Sequence, residues 1–302
     1  MQRASARTGT TMTLGSMLFV QLGLAASVGL FDRVGPAGAA CLRLTWGGLL
    51  LLAIVRPRLR TLPGDAVRGA VLLGVVTAGV TISFMLALER LPLGTAVAIE
   101  FLGPLGVAAW QGARGARAWP LLAGVGVLLL TEPWHGGADP LGVAWALAAG
   151  ACWAAYIVLT QQVGDRLPGI TGLAISMPVA ALVSLAVAGP RVAAELDPGL
   201  LALGLGLAVL LPVVPFALEM LALRHLTATA FGTLMSLEPA LAVLIGLVAL
   251  GQAPAPIALL GVLLVVLAGA GAQRTGGRPQ PVAATPEVVQ RPSSSRYVSE
   301  PS

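Results

Sequence analysis

The stretch FGTLMSLEPALAVLIG, Phe231 to Gly246, is apolar nearly throughout, yet Glu238 and Pro239 stand in its middle. Its surroundings decide how it reads. Of the 302 residues, 57% are hydrophobic and 10% charged, with a mean hydropathy of +0.89. Soluble domains carry about 25% charged residues. The solvent around this stretch is therefore lipid, and the chain reads as an all-α polytopic membrane protein.

Ten apolar runs follow one another at about 13–31, 36–55, 67–87, 93–111, 118–134, 141–160, 170–188, 199–222, 228–250 and 256–272. Each is near the ~20 residues that cross a bilayer as a helix, and Gly and Pro inside them do not argue against helix there. Residues 1–12 form an N-terminal tail. The segment 273–302, rich in Pro, Ser and Thr, is expected to be disordered. The first run is longer than the ~7–15-residue core of a cleaved signal peptide.

Every one of the 18 basic residues is arginine. With the N-terminus in the cytoplasm, the inside segments hold Arg3, Arg7, Arg56, Arg58, Arg60, Arg68, Arg114, Arg117, Arg166, Arg224, Arg274, Arg278, Arg291 and Arg296. The outside loops hold only Arg33, Arg90 and Arg191. That asymmetry puts both termini in the cytoplasm. The net charge of +5 is spread singly between apolar runs, which signals topology rather than a nucleic-acid surface. Cys41 and Cys152 lie in apolar runs without a CxxC or a nearby His, so neither a disulfide nor a metal is expected.

The chain also repeats itself. MLALERL (Met85–Leu91) returns as MLALRHL (Met220–Leu226), 135 residues later. At that offset Leu102 meets Leu237 and Pro104 meets Pro239. LGSMLFVQLG (Leu14–Gly23) resembles LGVAWALAAG (Leu141–Gly150) at a slightly smaller offset. Two halves, 13–134 and 141–272, then hold five spans each. Five is odd, so the second half enters the membrane inverted, a design of secondary transporters with a site near the midplane.

ERLPLGTAVAIEFLGPLGVA (Glu89–Ala108) and VPFALEMLALRHLTATAFGTLMSLEPALAVLIGLVALGQ (Val214–Gln252) resemble the EamA-type carriers of the drug/metabolite transporter superfamily, most closely the threonine and homoserine exporters. VGPAGAACLRL (Val34–Leu44) fits the second span of that branch. The resemblance covers roughly residues 14–272. It implies ten helices in two inverted halves, with helices one, three, four, six, eight and nine lining a cavity and five and ten peripheral. It implies proton-linked export of small amino acids or similar metabolites across the cytoplasmic (inner) membrane of a bacterium, with no cofactor. Other metabolites or drugs are the alternative cargo. Two positions depart from the pattern: Val28 stands where many relatives carry lysine, and Gly251-Gln252 where Gly-Glu is common.

A charge at the bilayer centre costs roughly 2.5–3.5 kcal/mol, so the charged residues in or near the spans are the candidates. Glu100 and Glu238 sit in the matching fourth and ninth runs. Glu238 corresponds to Gly103, three residues from Glu100 and on the same helical face. Both carboxylates suit proton binding or capture of an ammonium group, or else a purely structural interhelical hydrogen bond. Pro104 and Pro239 free backbone carbonyls, either for a ligand or as packing kinks. Glu219, beyond Pro212 and Pro215, is an inner gate or an interfacial acid. Arg43 anchors a substrate carboxylate, pairs with a helical acid, or snorkels to the surface. Gln21, Trp153 and Tyr156 add walls or packing. Trp110, Trp119 and Trp134 fit interfacial belts. His135 and His225 fall in loops. An enzyme is disfavoured: both histidines lie outside the spans, and HExxH, GxSxG and GxxxxGK[ST] are all missing.

Overall fold

A computed structural model describes residues 2–57, 62–111, 118–132, 138–164, 166–167, 171–222, 225 and 234–275. Among them every regular element is helical: α1 (Gln2–Val28), α2 (Phe31–Val55), α3 (Gly64–Leu88), α4 (Leu93–Glu100), α5 (Leu102–Gln111), α6 (Ala118–Thr131), α7 (Pro140–Gly164), α8 (Thr171–Ala194), α9 (Pro198–Ala208), a π turn at Val209–Val213, α10 (Val214–Ala222), α11 (Glu238–Leu250) and α12 (Pro256–Thr275). Trp134, His135 and the chain beyond 275 lie outside the described residues.

The ten apolar runs each hold helix. Five helices are long and apolar enough to cross a membrane, and five shorter apolar helices fill the remaining runs. In lipid the backbone must satisfy its own hydrogen bonds, which leaves helix as the open choice for such runs. Their outer faces remain greasy: Leu121, Leu182 and Val248 are 74%, 66% and 73% exposed. Trp110 is also exposed at the end of α5, as an interfacial residue would be, whereas the Trp119 ring packs against Gly271.

Several boundaries differ from the sequence reading, and proline explains most of them. A proline cannot donate to the carbonyl four residues earlier, and the helix yields at that carbonyl. The fourth run breaks at Phe101, next to Glu100, whose carbonyl Pro104 cannot bond. The eighth run breaks through the π turn, where Leu211, four residues before Pro215, leaves the helical region at φ −157° and ψ 104°. In the second run Gly35 turns to φ 71° just before Pro36, a kink that sets the short turn from Phe31 apart from the main helix, which starts at 36 as the apolar run does. α1 reaches back to Gln2, into the segment assigned to a tail.

α2 packs along α8, α3 along α7, α6 along α12, α1 against α10, and α4 against α11. The α6–α12 contact is reciprocal. A Cβ on Gly126 would lie 2.6 Å from the Gly261 carbonyl oxygen, and one on Gly261 would lie 2.6 Å from that of Gly126. Small residues let membrane helices approach this closely.

Among the described residues three ion pairs join the loop regions: Arg33 with Asp197, Arg90 with Asp139 at 2.8 Å, and Arg166 with Asp65 at 2.8 Å. Each links two loops that the arginine distribution assigns to one side of the membrane. Asp139 and Asp197 also accept from the backbone N–H of Leu141 and Leu200, at the starts of α7 and α9.

Candidate functional site

A cavity of about 180 Å³ opens between α1, α2, α3, α4, α7 and α11. Its walls are Val20 and Leu24, Arg43, Val80, Thr81 and Phe84, Val97 and Glu100, Trp153, and Glu238. The sequence singled out four of these: Arg43, Glu100, Trp153 and Glu238. A 150 Å³ apolar cavity holds benzene, so this one suits a molecule of roughly six to nine heavy atoms.

Each charged group arrives for a local reason. Glu100 is the last residue of α4, at the break that Pro104 imposes. Glu238 opens α11, with Pro239 in the first turn, where a proline needs no amide hydrogen. A helix start is also where a carboxylate meets unpaired backbone N–H groups. Both halves thus interrupt their fourth helix where an acid faces the cavity. Arg43 lies two turns past the Gly35 kink of α2.

All three are buried, with Arg43 and Glu238 7% exposed and Glu100 9%. Glu100 lies within electrostatic reach of both others. Among the described residues Arg43 forms no ion pair within 4.0 Å, and its Nη1 has no hydrogen-bond partner. Gln21 on α1 is fully buried and donates from Nε2 to Glu238 Oε1 at 3.5 Å. Trp153 stands edge-on to Phe101, with ring centroids 6.2 Å apart. Three of the lining residues, Leu24, Phe84 and Val97, belong to one buried apolar cluster with Leu88, Leu91 and Leu93.

Other candidates fall elsewhere. Tyr156 packs with Ala66, Ala70 and Leu73, away from the cavity, because one turn of α7 separates it from Trp153. None of Pro104, Pro239 and Pro215 is among the lining residues. A proline acts one turn upstream, so the ring itself packs while the break shapes the site. The Glu100 carbonyl released by Pro104 faces α7, not a ligand: a Cβ on Gly150 would come within 2.9 Å of it. The Pro215 carbonyl accepts from Ser16 Oγ at 3.3 Å. The side chain of Glu219 lies outside the described residues. The second span enters the lining through Arg43, which the family pattern did not imply, and among the described residues the eighth contributes none.

Sequence reasoning missed Thr81 and the apolar walls. Thr81 is one of few hydroxyls in its run; Val80 and Phe84 carry no signal that separates a cavity wall from core. Gln252, noted in the sequence only as a departure from the family pattern, accepts through Oε1 from the Leu93 N–H at 2.9 Å and so caps α4 from the other half. Among the described residues no cluster of His, Cys, Asp or Glu could hold a metal.

Known proteins resemble this chain along most of its length. The model of the EamA-like transporter family matches residues 140–271. The threonine/homoserine exporter RhtA of Escherichia coli K12 is 36% identical over 268 residues, 87% of this chain and 90% of that protein. The protein of the same name from Salmonella typhimurium SL1344 is 35% identical over 266 residues, 86% and 89% of the two chains. A crystal structure superposes with a TM-score of 0.56 at 18% identity, covering 89% of this chain and 97% of that one, and shares the fold.

Proposed function

Because the chain belongs to the EamA-like transporter family, we propose that it exports small amino acids of the threonine and homoserine kind by proton antiport. Membership makes it a multi-pass membrane transporter and not an enzyme. The observation that carries the finer reading is the cavity that gathers Arg43, Glu100 and Glu238 from three interrupted or kinked helices. Its size fits a molecule of threonine's bulk, and its charges fit a polar one. An apolar or bulky cationic drug would leave Arg43 buried without an anion, which disfavours the alternative of drug export.

Proton coupling rests on Glu100 and Glu238, buried carboxylates that are interchangeable seats for a proton or a cation. Alternating access rests on an inverted repeat. Adding five to each run number turns the α3–α7 packing into α1–α10, and it returns α2–α8, α4–α11 and α6–α12 onto themselves. Gly126 and Gly261, the reciprocal pair, differ by 135, the offset of the sequence repeat. The arginine distribution supports cytoplasmic termini in a bacterial inner membrane.

Counterflow of labelled threonine in proteoliposomes tests the reading. Unlabelled threonine and homoserine should compete, and cationic drugs should not. Counterflow with drugs and none with any amino acid would overturn it.

A further inference from the structure

We infer that the cavity reads its substrate as a zwitterion of fixed polarity, with Arg43 taking the α-carboxylate and Glu238 the ammonium group. The inference rests on the exporter reading and adds which end of the substrate goes where.

Arg43 carries the argument. Its guanidinium is charged at any working pH and presents donors in a planar fork that matches a carboxylate. It is 7% exposed and lines the cavity. A buried donor left without a partner costs about 1–3 kcal/mol, more when charged, and Nη1 is such a donor. Glu100 supplies a compensating field but no ion pair within 4.0 Å. Glu100 therefore keeps the arginine tolerable in lipid while leaving part of its fork open. What completes the fork must arrive from outside the protein, carry a carboxylate, and fit about 180 Å³.

Glu238 lines the same cavity and is the matching acceptor. Gln21 donates to one of its oxygens, which holds the carboxylate in place from α1. Gln21 is in that sense a positioning residue. Val20, Leu24, Val80, Phe84 and Val97 give the rest of the cavity an apolar wall. A small amino acid offers a carboxylate to one and an ammonium group to the other from a single carbon; an amine or an acid alone satisfies only one. Proton and ammonium then compete for the same carboxylate, which is what exchange of one for the other requires.

The test compares L-threonine with L-threoninol, the amino alcohol that lacks the carboxylate, as competitors of threonine counterflow in proteoliposomes. The wild-type protein should prefer threonine by at least about a hundredfold, as sites built around a polar partner do. Arg43→Gln should weaken threonine at least about tenfold and bring the two ligands close to parity. If Arg43→Gln fails to reach the membrane because it leaves Glu100 uncompensated, Arg43→Gln/Glu100→Gln removes both charges together. If neither variant folds, the wild-type preference decides alone. Equal competition by threonine and threoninol in the wild type, or an unchanged preference in a folded Arg43 variant, overturns the inference while leaving the exporter reading intact. A wild-type protein with no threonine counterflow sinks both.

Discussion

Gly103 of α5 and Gly150 of α7 bring two backbones into direct contact beside the cavity. A Cβ on Gly103 would lie 2.1 Å from the Gly150 carbonyl oxygen, a distance that backbone must move to relieve. The contact fixes α7, and with it Trp153, against the Glu100 break. Gly103→Ala is expected to destabilise the protein by about 1–3 kcal/mol, the usual cost of overpacking, read as a lower melting temperature in detergent. Gly106→Ala, three residues on and with nothing within 4 Å, should melt like the wild type. Equal melting of the two variants would show that the helices are not in contact.

Gln21 is the side chain that ties α1 to Glu238. Gln21→Leu keeps the bulk and removes the donor. Hydrogen bonds to charged groups contribute about 1.5–3 kcal/mol, so transport should fall about tenfold or more at a normal membrane level. A wild-type rate in Gln21→Leu would mean that the Gln21–Glu238 contact does not support the site.

The loops offer a pH-dependent signature. The Arg90 guanidinium, aided by the Leu141 amide, holds the Asp139 carboxyl below its ordinary range. A depressed carboxylate stabilises the fold above its unfolded value, ~3.9, and loses that contribution as pH falls through the lower folded value. Asp139→Asn should therefore melt slightly below the wild type at pH 7, and the gap should narrow below about pH 4. A gap that widens on acidification would contradict the Arg90–Asp139 pairing.

Orientation can be read by labelling. In a Cys41→Ala/Cys152→Ala background, a cysteine at Glu195 should react with an impermeant maleimide on intact cells, and one at Arg166 should react only after permeabilisation. Both positions are exposed loop residues. The reverse pattern would turn the protein over in the membrane and reverse the direction assigned to transport.

The fold was legible because lipid leaves few choices. A run near 20 apolar residues must be helix, and ten such runs stand out against arginine-bearing linkers. The charged pair stood out for a related reason: a carboxylate inside an apolar run is costly in lipid, and both Glu100 and Glu238 line the cavity. The helix breaks were half legible. Pro104 and Pro215 announce a disturbance, but the chain yields at the carbonyl one turn earlier, so the ends of α4 and α9 could not be placed from the prolines themselves. Tyr156 was grouped with Trp153 by proximity in sequence, and one turn further along α7 it packs against a different cluster. Thr81 and Gln252 were missed because their roles depend on tertiary contact. Gln252 caps α4 from the opposite half, and no local pattern announces that.

The central claim is that Glu238 couples substrate to protons, and Glu238→Gln tests it most directly because shape is kept while titration is lost. The measurement is threonine movement in proteoliposomes under an imposed pH gradient, set beside counterflow at saturating threonine without one. The wild-type protein should move threonine against its gradient. The variant should keep counterflow, since the amide oxygen still accepts from an ammonium group, and should lose uphill movement. Undiminished uphill transport by Glu238→Gln would contradict the claim.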